Sequence, residues 1–242
     1  MQNNQKKIFI LEDEVDLNEM IAIELDSRGY ETNTFYNPKI FMKAFSEVSP
    51  DLLITDIRLP EISGIEIVKM VKETNIFTPP IITITAYNDI PAQTLYQLGV
   101  ESVIYKPFQL NLLTSTIQRL CIPAEDRLQL GIDRQEQYLG WVRKIDDKKT
   151  EDINLGRGGF SFSIEEKIGN DEVIEFSLKI NNRPEIILSG LGIVRWNIIN
   201  LQNHKERIVN KYGVEFVYLE DKSKDSVLEF VYNNRVIPYI PF

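Results

Sequence analysis

One cysteine and one histidine in 242 residues leave this chain little soft-ligand chemistry. Cys121 has no partner for an internal disulfide, and with His204 it falls short of the ligand set a structural zinc site takes. His204 itself lies in the polar run NLQNHKER, the composition of a solvated loop. Long apolar runs are missing too. None approaches the roughly 20 residues of a membrane span, and the polar start MQNNQKK lacks the apolar core of a secretory leader, so a cytoplasmic chain without membrane insertion is expected. Positive charge is in deficit, with a formal net charge of −9. A net acidic surface repels nucleic-acid phosphates, which argues against broad nucleic-acid binding. Residues 1–121 hold 16 acids against 10 bases (−6), and residues 122–242 hold 20 against 17 (−3). Any polyanion site therefore belongs in the second half. No internal repeat, low-complexity tract or heptad pattern is present.

What the chain does have is enough apolar material, 43%, for two ordinary domains. The first half alternates strand and helix. KIFIL (7–11) reads as a strand, 16–28 as a helix with Leu17, Met20, Ile21 and Leu25 on one face, and Gly29 as its stop. Strand candidates follow at 32–35, 52–55, 81–85 and 102–105, with helices at 38–46, 65–73, 92–98 and 110–121. Five βα units predict an α/β doubly wound five-stranded parallel sheet.

The stretch DLLITDIRLPEISG (51–64) organises that half. Leu52, Leu53 and Ile54 form a run apolar enough to be buried on both faces, and Asp56 ends it abruptly. Ligands of open α/β sheets bind outside the carboxyl ends of the strands, which is where Asp56 falls. An acid ending a core strand is by itself as compatible with a merely solvated carboxylate. The other strand ends decide between the two, because Glu12 and Asp13 follow the first strand, Thr85 ends the fourth and Lys106 the fifth. Three clustered acids repel one another unless a hard cation offsets them, and oxygen ligands of this kind suit Mg²⁺. The chemistry that follows is phosphoryl transfer, with the Asp56 carboxylate as nucleophile, Lys106 and Mg²⁺ offsetting charge, and Thr85 donating a hydrogen bond. Lys106 before Pro107 predicts a rigid turn.

These segments, ILEDE, TDIRLPEISG, TAYND and YKPF, resemble the receiver domain of two-component response regulators over about half the chain. The resemblance implies Asp56 as phosphoacceptor and Glu12, Asp13, Asp56 and the backbone carbonyl of Arg58 as the Mg²⁺ site. It also implies Thr85 as switch hydroxyl, Lys106 as the phosphate-contacting lysine, and a sensor histidine kinase or phosphotransfer protein as partner. In that family the residue three before the lysine is usually aromatic; here it is Val103. Tyr105 shares its pleat phase but lies about 7 Å further along the strand.

Past IPAEDRLQLGID (122–133) the rhythm changes, and 122–134 reads as a linker. Short alternating strands are expected at 138–145, 159–164, 173–180, 186–196 and 212–218, with a closing helix at 222–233, as in a small antiparallel β-barrel with a C-terminal helix. Turns are expected at 146–149 and 181–184, and a longer polar break near Asn203. In DINLGRGGFSF (152–162), Gly156, Gly158 and Gly159 can free amides to form an anion-binding nest, with Arg157 adding a guanidinium, although glycine-rich hairpins are more often plain turns. NLGRGGFSF, GLGIVRW and YGVEF resemble the PilZ domain, a small barrel that in many members binds cyclic di-GMP.

That resemblance implies Asn154, Arg157 and Gly159 as nucleotide-contacting residues and cyclic di-GMP as ligand. Its signature is incomplete here. Gly156 stands at the serine place of the loop, and the RxxxR pair is absent, since Arg127 is followed four places on by Gly131 and Arg134 by Tyr138. Domain limits of 1–121, 122–134 and 135–242 follow. The favoured reading is a phosphorylated regulator, not a metabolic enzyme, with an output made by contact to a protein target and no DNA. Its alternative is a cyclic di-GMP receptor that the receiver modulates. A DNA-binding regulator would need a basic recognition helix, and the second half is mainly strands.

Overall fold

The computed structural model describes residues 5–86, 90–127, 142–146, 150–180, 183–202 and 208–242, and by internal contacts divides into two units. Residues 1–91 and 98–122 form the first; Ala92–Gln97 and Pro123–Phe242 form the second.

In the first unit β1 (Lys7–Leu11), β2 (Glu31–Phe35), β3 (Leu52–Asp56), β4 (Ile81–Ala86) and β5 (Ser102–Lys106) are joined in order β2-β1-β3-β4-β5. Every pairing is parallel, as the βα alternation predicts. The helices of this unit are α1 (Val15–Ser27), α2 (Pro38–Glu47), α3 (Gly64–Thr74) and α5 (Leu110–Leu120); α4 (Ala92–Gln97), between β4 and β5 in the chain, is counted with the second unit. β3 is buried along its whole length, because helices cover both faces of a parallel sheet. On one face Ile10, Ile54 and Ile84 meet Ile21 and Leu25 of α1 and Ile117 of α5. On β1 and β2, Phe9 and Phe35 pack with Phe41 of α2 in tilted and edge-to-face contacts at centroid distances of 4.9–6.3 Å. The face of α1 is not quite the one expected: Met20 is exposed, while Asn18 is fully buried.

Local signals set the helix starts. Ser63 and Glu66 form a reciprocal capping box at α3, and Asn37 caps α2 ahead of Pro38. Gly64 is a requirement of close approach: a Cβ there would lie 2.0 Å from the carbonyl oxygen of Asp56. Only glycine lets the chain fold back onto the end of β3, with the Gly64 amide donating to Ile57 O at 3.0 Å.

The second unit carries the short α6 (Ala124–Arg127), then β6 (Arg143–Asp146), β7 (Glu151–Leu155), β8 (Gly159–Ile164), β9 (Val173–Ile180), β10 (Arg183–Gln202) and β11 (Ile208–Leu219), and ends in α7 (Asp221–Asn234). The strands form one sheet, β6-β9-β10-β11-β8-β7. Its pairings are antiparallel except β6 with β9, which is parallel and departs from the all-antiparallel expectation. The pairings of the described residues give an ordered sheet; closure into a barrel is not among them. Phe160, Phe162, Phe176, Tyr212 and Phe216 form its aromatic core. Ser223 ties α7 to β10, accepting from Ser189 N at 2.9 Å and donating to Ile187 O at 3.2 Å.

Two strand expectations need correction. β7 is not among the expected strands, since EDINL is polar and only Ile153 is buried on this edge strand. β10 runs from Arg183, within the expected 181–184 turn, to Gln202, with register shifts against β11 that let one long strand bend without breaking. Of the expected turn at 146–149, Asp146 instead ends β6 and 147–149 lie outside the described residues, as do most of the linker, His204, Gly131, Arg134 and Tyr138.

A buried ion pair fixes the amino-terminal edge of the parallel sheet. Lys72 Nζ lies 2.8 Å from Glu101 Oε1 and 3.0 Å from Pro79 O, and Glu101 Oε2 accepts from Ile81 N at 2.6 Å. Both side chains are at most 2% exposed. Glu101→Ala should therefore cost about 3–5 kcal/mol in urea unfolding, because it strands an ammonium, whereas Lys72→Met with Glu101→Leu should recover most of that loss. Equal destabilisation in the two variants would show that the pair is not what the single change disturbs.

Candidate functional site

The carboxyl ends of β1, β3, β4 and β5 bring together all the acids the sequence nominates. Oxygens of Glu12, Asp13 and Asp56 lie within 4.8 Å of one another. Glu12 and Asp56 are buried and Asp13 is exposed, so the cluster opens to solvent on Asp13's side. Lys106, at the end of β5, reaches both buried acids, with Nζ 2.8 Å from Glu12 Oε2 and 2.5 Å from Asp56 Oδ2. The Lys106–Pro107 peptide is cis. Arg58 enters through its backbone amide, which donates to Asp56 Oδ1 at 2.9 Å. Thr85 is fully buried on β4, one place beyond Ile84, the register partner of Asp56.

Asn18 is the residue the sequence reading passed over. Its Nδ2 donates to Glu12 O at 2.8 Å and Phe35 O at 3.0 Å, so α1 holds the carbonyls that end β1 and β2 in place. The available signal was an amide inside the apolar face of α1; its Nδ2 finds two carbonyl partners there, while its Oδ1 is buried without one. In the second unit, Asn154 Nδ2 bonds Asp152 O at 3.2 Å and approaches Ser161 Oγ at 3.5 Å. Gly159 opens β8 against β11, where a Cβ would lie 2.0 Å from Val214 O. Arg157 packs against Tyr239, its guanidinium 5.2 Å from the ring centroid. Arg127, one half of the missing arginine pair, lies in α6.

The electrostatics of the first cluster follow from burial. Burial pushes the Glu12 carboxyl up to about 7, with the Asp56 charge adding to the shift and Lys106 opposing it. Lys106 loses some basicity to burial, yet its bonds to Asp56 and Glu12 more than restore it, so it stays charged. One ammonium against three acids leaves the cluster short of positive charge. A hard divalent cation fits: the donors are all oxygen, they converge, and the exposed side admits the waters that Mg²⁺ keeps.

The family model for the response regulator receiver domain matches residues 8–118. Among curated proteins the chain is similar to the transcriptional regulatory protein CrdR of Helicobacter pylori, 34% identical over 48% of this chain and 54% of that one. It is also similar to the sensory transduction protein BceR of Halalkalibacterium halodurans, 27% identical over 76% of this chain and 77% of the relative. The chain thus spans about half the length of CrdR. Among solved structures, the response regulator TrrA of Thermotoga maritima in complex with Mg²⁺–BeF is 29% identical, covering 48% of this chain and 99% of that one at a TM-score of 0.44. The receiver domain of NtrX from Brucella abortus is 25% identical over 47% and 97%, at 0.45.

Glu12 sets the pH behaviour. Its folded value of about 7 stands above the ordinary 4.5, so the contribution it makes to folding is full below 4.5 and is lost as pH rises through 7. A bound cation replaces the proton. Mg²⁺ should therefore raise the melting temperature little near about pH 5.5 and much more near about pH 8, relative to a chelator. A Mg²⁺ effect independent of pH would show that Glu12 does not compete with the cation. Residues 8–118 are a response regulator receiver domain.

Proposed function

We propose that the chain is a response regulator phosphorylated on Asp56 by a sensor histidine kinase or phosphotransfer protein, and that its second unit delivers the output by contact with a protein target. The carrying observation is the convergence of Glu12, Asp13, Asp56 and Lys106 at one sheet edge. Glu12, Asp13, Asp56 and the Arg58 carbonyl would hold Mg²⁺, which when bound offsets charge on the phosphoryl oxygens. An Asp56 oxygen attacks phosphorus, the P–N bond to the donor imidazole breaks, and an acyl phosphate forms. The Arg58 amide orients the carboxylate before attack. Lys106, released in part from Asp56, then pairs with the phosphoryl group, and Thr85 turns its hydroxyl toward it. The reaction ends with a modified protein, and we assign no metabolic catalysis.

Residues 135–242 are read as a PilZ-like output, 122–134 as linker and 1–121 as receiver. Coupling would run through the segment that follows Thr85, residues 85–105, where a receiver's phosphorylation is relayed. Contact with a protein is favoured over cyclic di-GMP because the glycine loop spends its amides inside the chain: Gly156 N on Gly159 O, Arg157 N on Pro238 O and Gly158 N on Tyr239 O. A Cβ on Gly156 would meet Tyr239 O and Pro241 Cδ at 2.7 Å, so the family's serine has no room there. Transcriptional control is what CrdR's name says of that protein; here α7 carries Lys222 and Lys224 against Asp221, Asp225 and Glu229, the wrong balance for a groove-reading helix.

Asp56→Asn should abolish acyl-phosphate labelling from a small phosphodonor with Mg²⁺, and Lys106→Ala should keep labelling but lose most of the conformational response to beryllofluoride seen by hydrogen exchange. Labelling of Asp56→Asn at the wild-type level sinks the phosphoacceptor assignment.

A further inference from the structure

The C-terminal segment Ile237–Phe242 occupies the glycine loop as a ligand would. Its backbone offers three acceptors in succession: Ile237 O to Arg157 Nε at 3.1 Å, Pro238 O to Arg157 N at 3.0 Å and Tyr239 O to Gly158 N at 2.9 Å. Tyr239 is the anchor. Its ring lies where a side chain on Gly158 would be, since a Cβ there would come within 1.9 Å of the ring. Its hydroxyl donates to the buried Glu215 at 3.0 Å, and Glu215 is neutralised from its other oxygen by Arg195 at 2.7 Å. Ile240 is fully buried, and Phe242 stacks on Trp196 with Lys211 above it. Pro238 and Pro241 flank the anchor; they have no N–H to satisfy and hold the segment extended, which lowers the entropy lost on docking.

We propose that the glycine loop is a peptide-reading site whose resident ligand is the chain's own C-terminal segment, exchangeable for a partner segment of the same chemistry: extended, proline-flanked, with a tyrosine followed by an aliphatic residue. The inference rests on reading the second unit as a protein-contact module, and it names the contact. Main-chain hydrogen bonds supply affinity and the tyrosine slot supplies selectivity, the division of labour found where extended peptides dock on a sheet edge. Gly156, Arg157 and Gly158 acquire one explanation, since two positions must lack a side chain for the segment to lie down and the arginine between them clasps it.

The test uses the full chain and a labelled peptide of residues 235–242, RVIPYIPF. In wild type the tethered segment competes at an effective concentration of about millimolar, so Tyr239→Ala should bind the peptide at least about tenfold more tightly than wild type does. Hydrogen exchange at the Arg157 and Gly158 amides should quicken in Tyr239→Ala and slow again on adding peptide. Adding Gly158→Ala to Tyr239→Ala should remove peptide binding, because the new methyl fills the tyrosine slot. Peptide binding that is equal in wild type and Tyr239→Ala, or absent from both, overturns the proposal. So does a Tyr239→Ala protein that takes up cyclic di-GMP and not the peptide. Should Tyr239→Ala unfold, Gly158→Ala alone displaces the ring: faster exchange at Arg157 with β9–β10 protection retained upholds the site, and unchanged exchange at Arg157 overturns it. Asp56 labelling is independent of the loop, so its persistence in these variants separates failure here from failure of the phosphoacceptor reading.

Discussion

One ammonium group holds the receiver half ready for chemistry. Lys106 Nζ, at the end of β5, sits within 2.8 Å of two buried carboxylates at the ends of β1 and β3, which are neighbours in the sheet. Without that charge, Glu12 would face the Asp56 carboxylate with its own burial unopposed, and it would resist ionisation still more. The lysine offsets this only in part, since burial above all, and then the Asp56 charge, still hold the Glu12 carboxyl up at about 7. That shortfall makes the site receptive to a cation and then to an anion, because the arriving phosphoryl group meets an ammonium whose present partners are strained by proximity to each other.

Such a cluster needs rigid backing, which comes from polar groups buried on the same sheet. Asn18 clamps the ends of β1 and β2 from α1, and Gly64 brings the β3–α3 turn onto the end of β3. At the opposite edge, Lys72 and Glu101 join α3 to the starts of β4 and β5. A buried pair adds little net stability over apolar replacements, yet it tolerates few alternative registers, since any slip strands a charge. Strand ends fixed at both edges keep five side chains from four strands in one place.

The parallel sheet was legible because burial on both faces writes itself as continuous apolar runs, and its site because function at the carboxyl edge interrupts those runs with charge. Asp56 after LLIT and Lys106 after SVIY are cases of one pattern. The second unit was less legible for reasons of the same kind. β7 is an edge strand with one buried side chain, so neither alternation nor a run marks it. β10 keeps pairing through bulges, each of which resets the alternation that a period-two reading relies on. Lys72 and Glu101 look like solvent-facing charges until tertiary structure brings together residues 29 apart. The last six residues left no helical or strand period to read.

The glycine loop shows where residue chemistry alone underdetermines function. Amides freed by glycine suit a phosphate, but they suit a peptide carbonyl equally, since both are oxygen acceptors seeking N–H donors. What separates the two readings is charge and room. A phosphate ligand needs compensating cations around the nest, whereas here Arg157 bonds a neutral carbonyl and lies against an aromatic ring. Room is decided by Tyr239, whose ring fills the space in front of Gly158 and whose hydroxyl ends on a carboxylate already paired with Arg195. A nucleotide entering that space would have to displace the ring and break the Tyr239–Glu215 bond, while an incoming tyrosine of a partner would restore the same bond. The geometry thus favours exchange of like for like over replacement of a peptide by an anion.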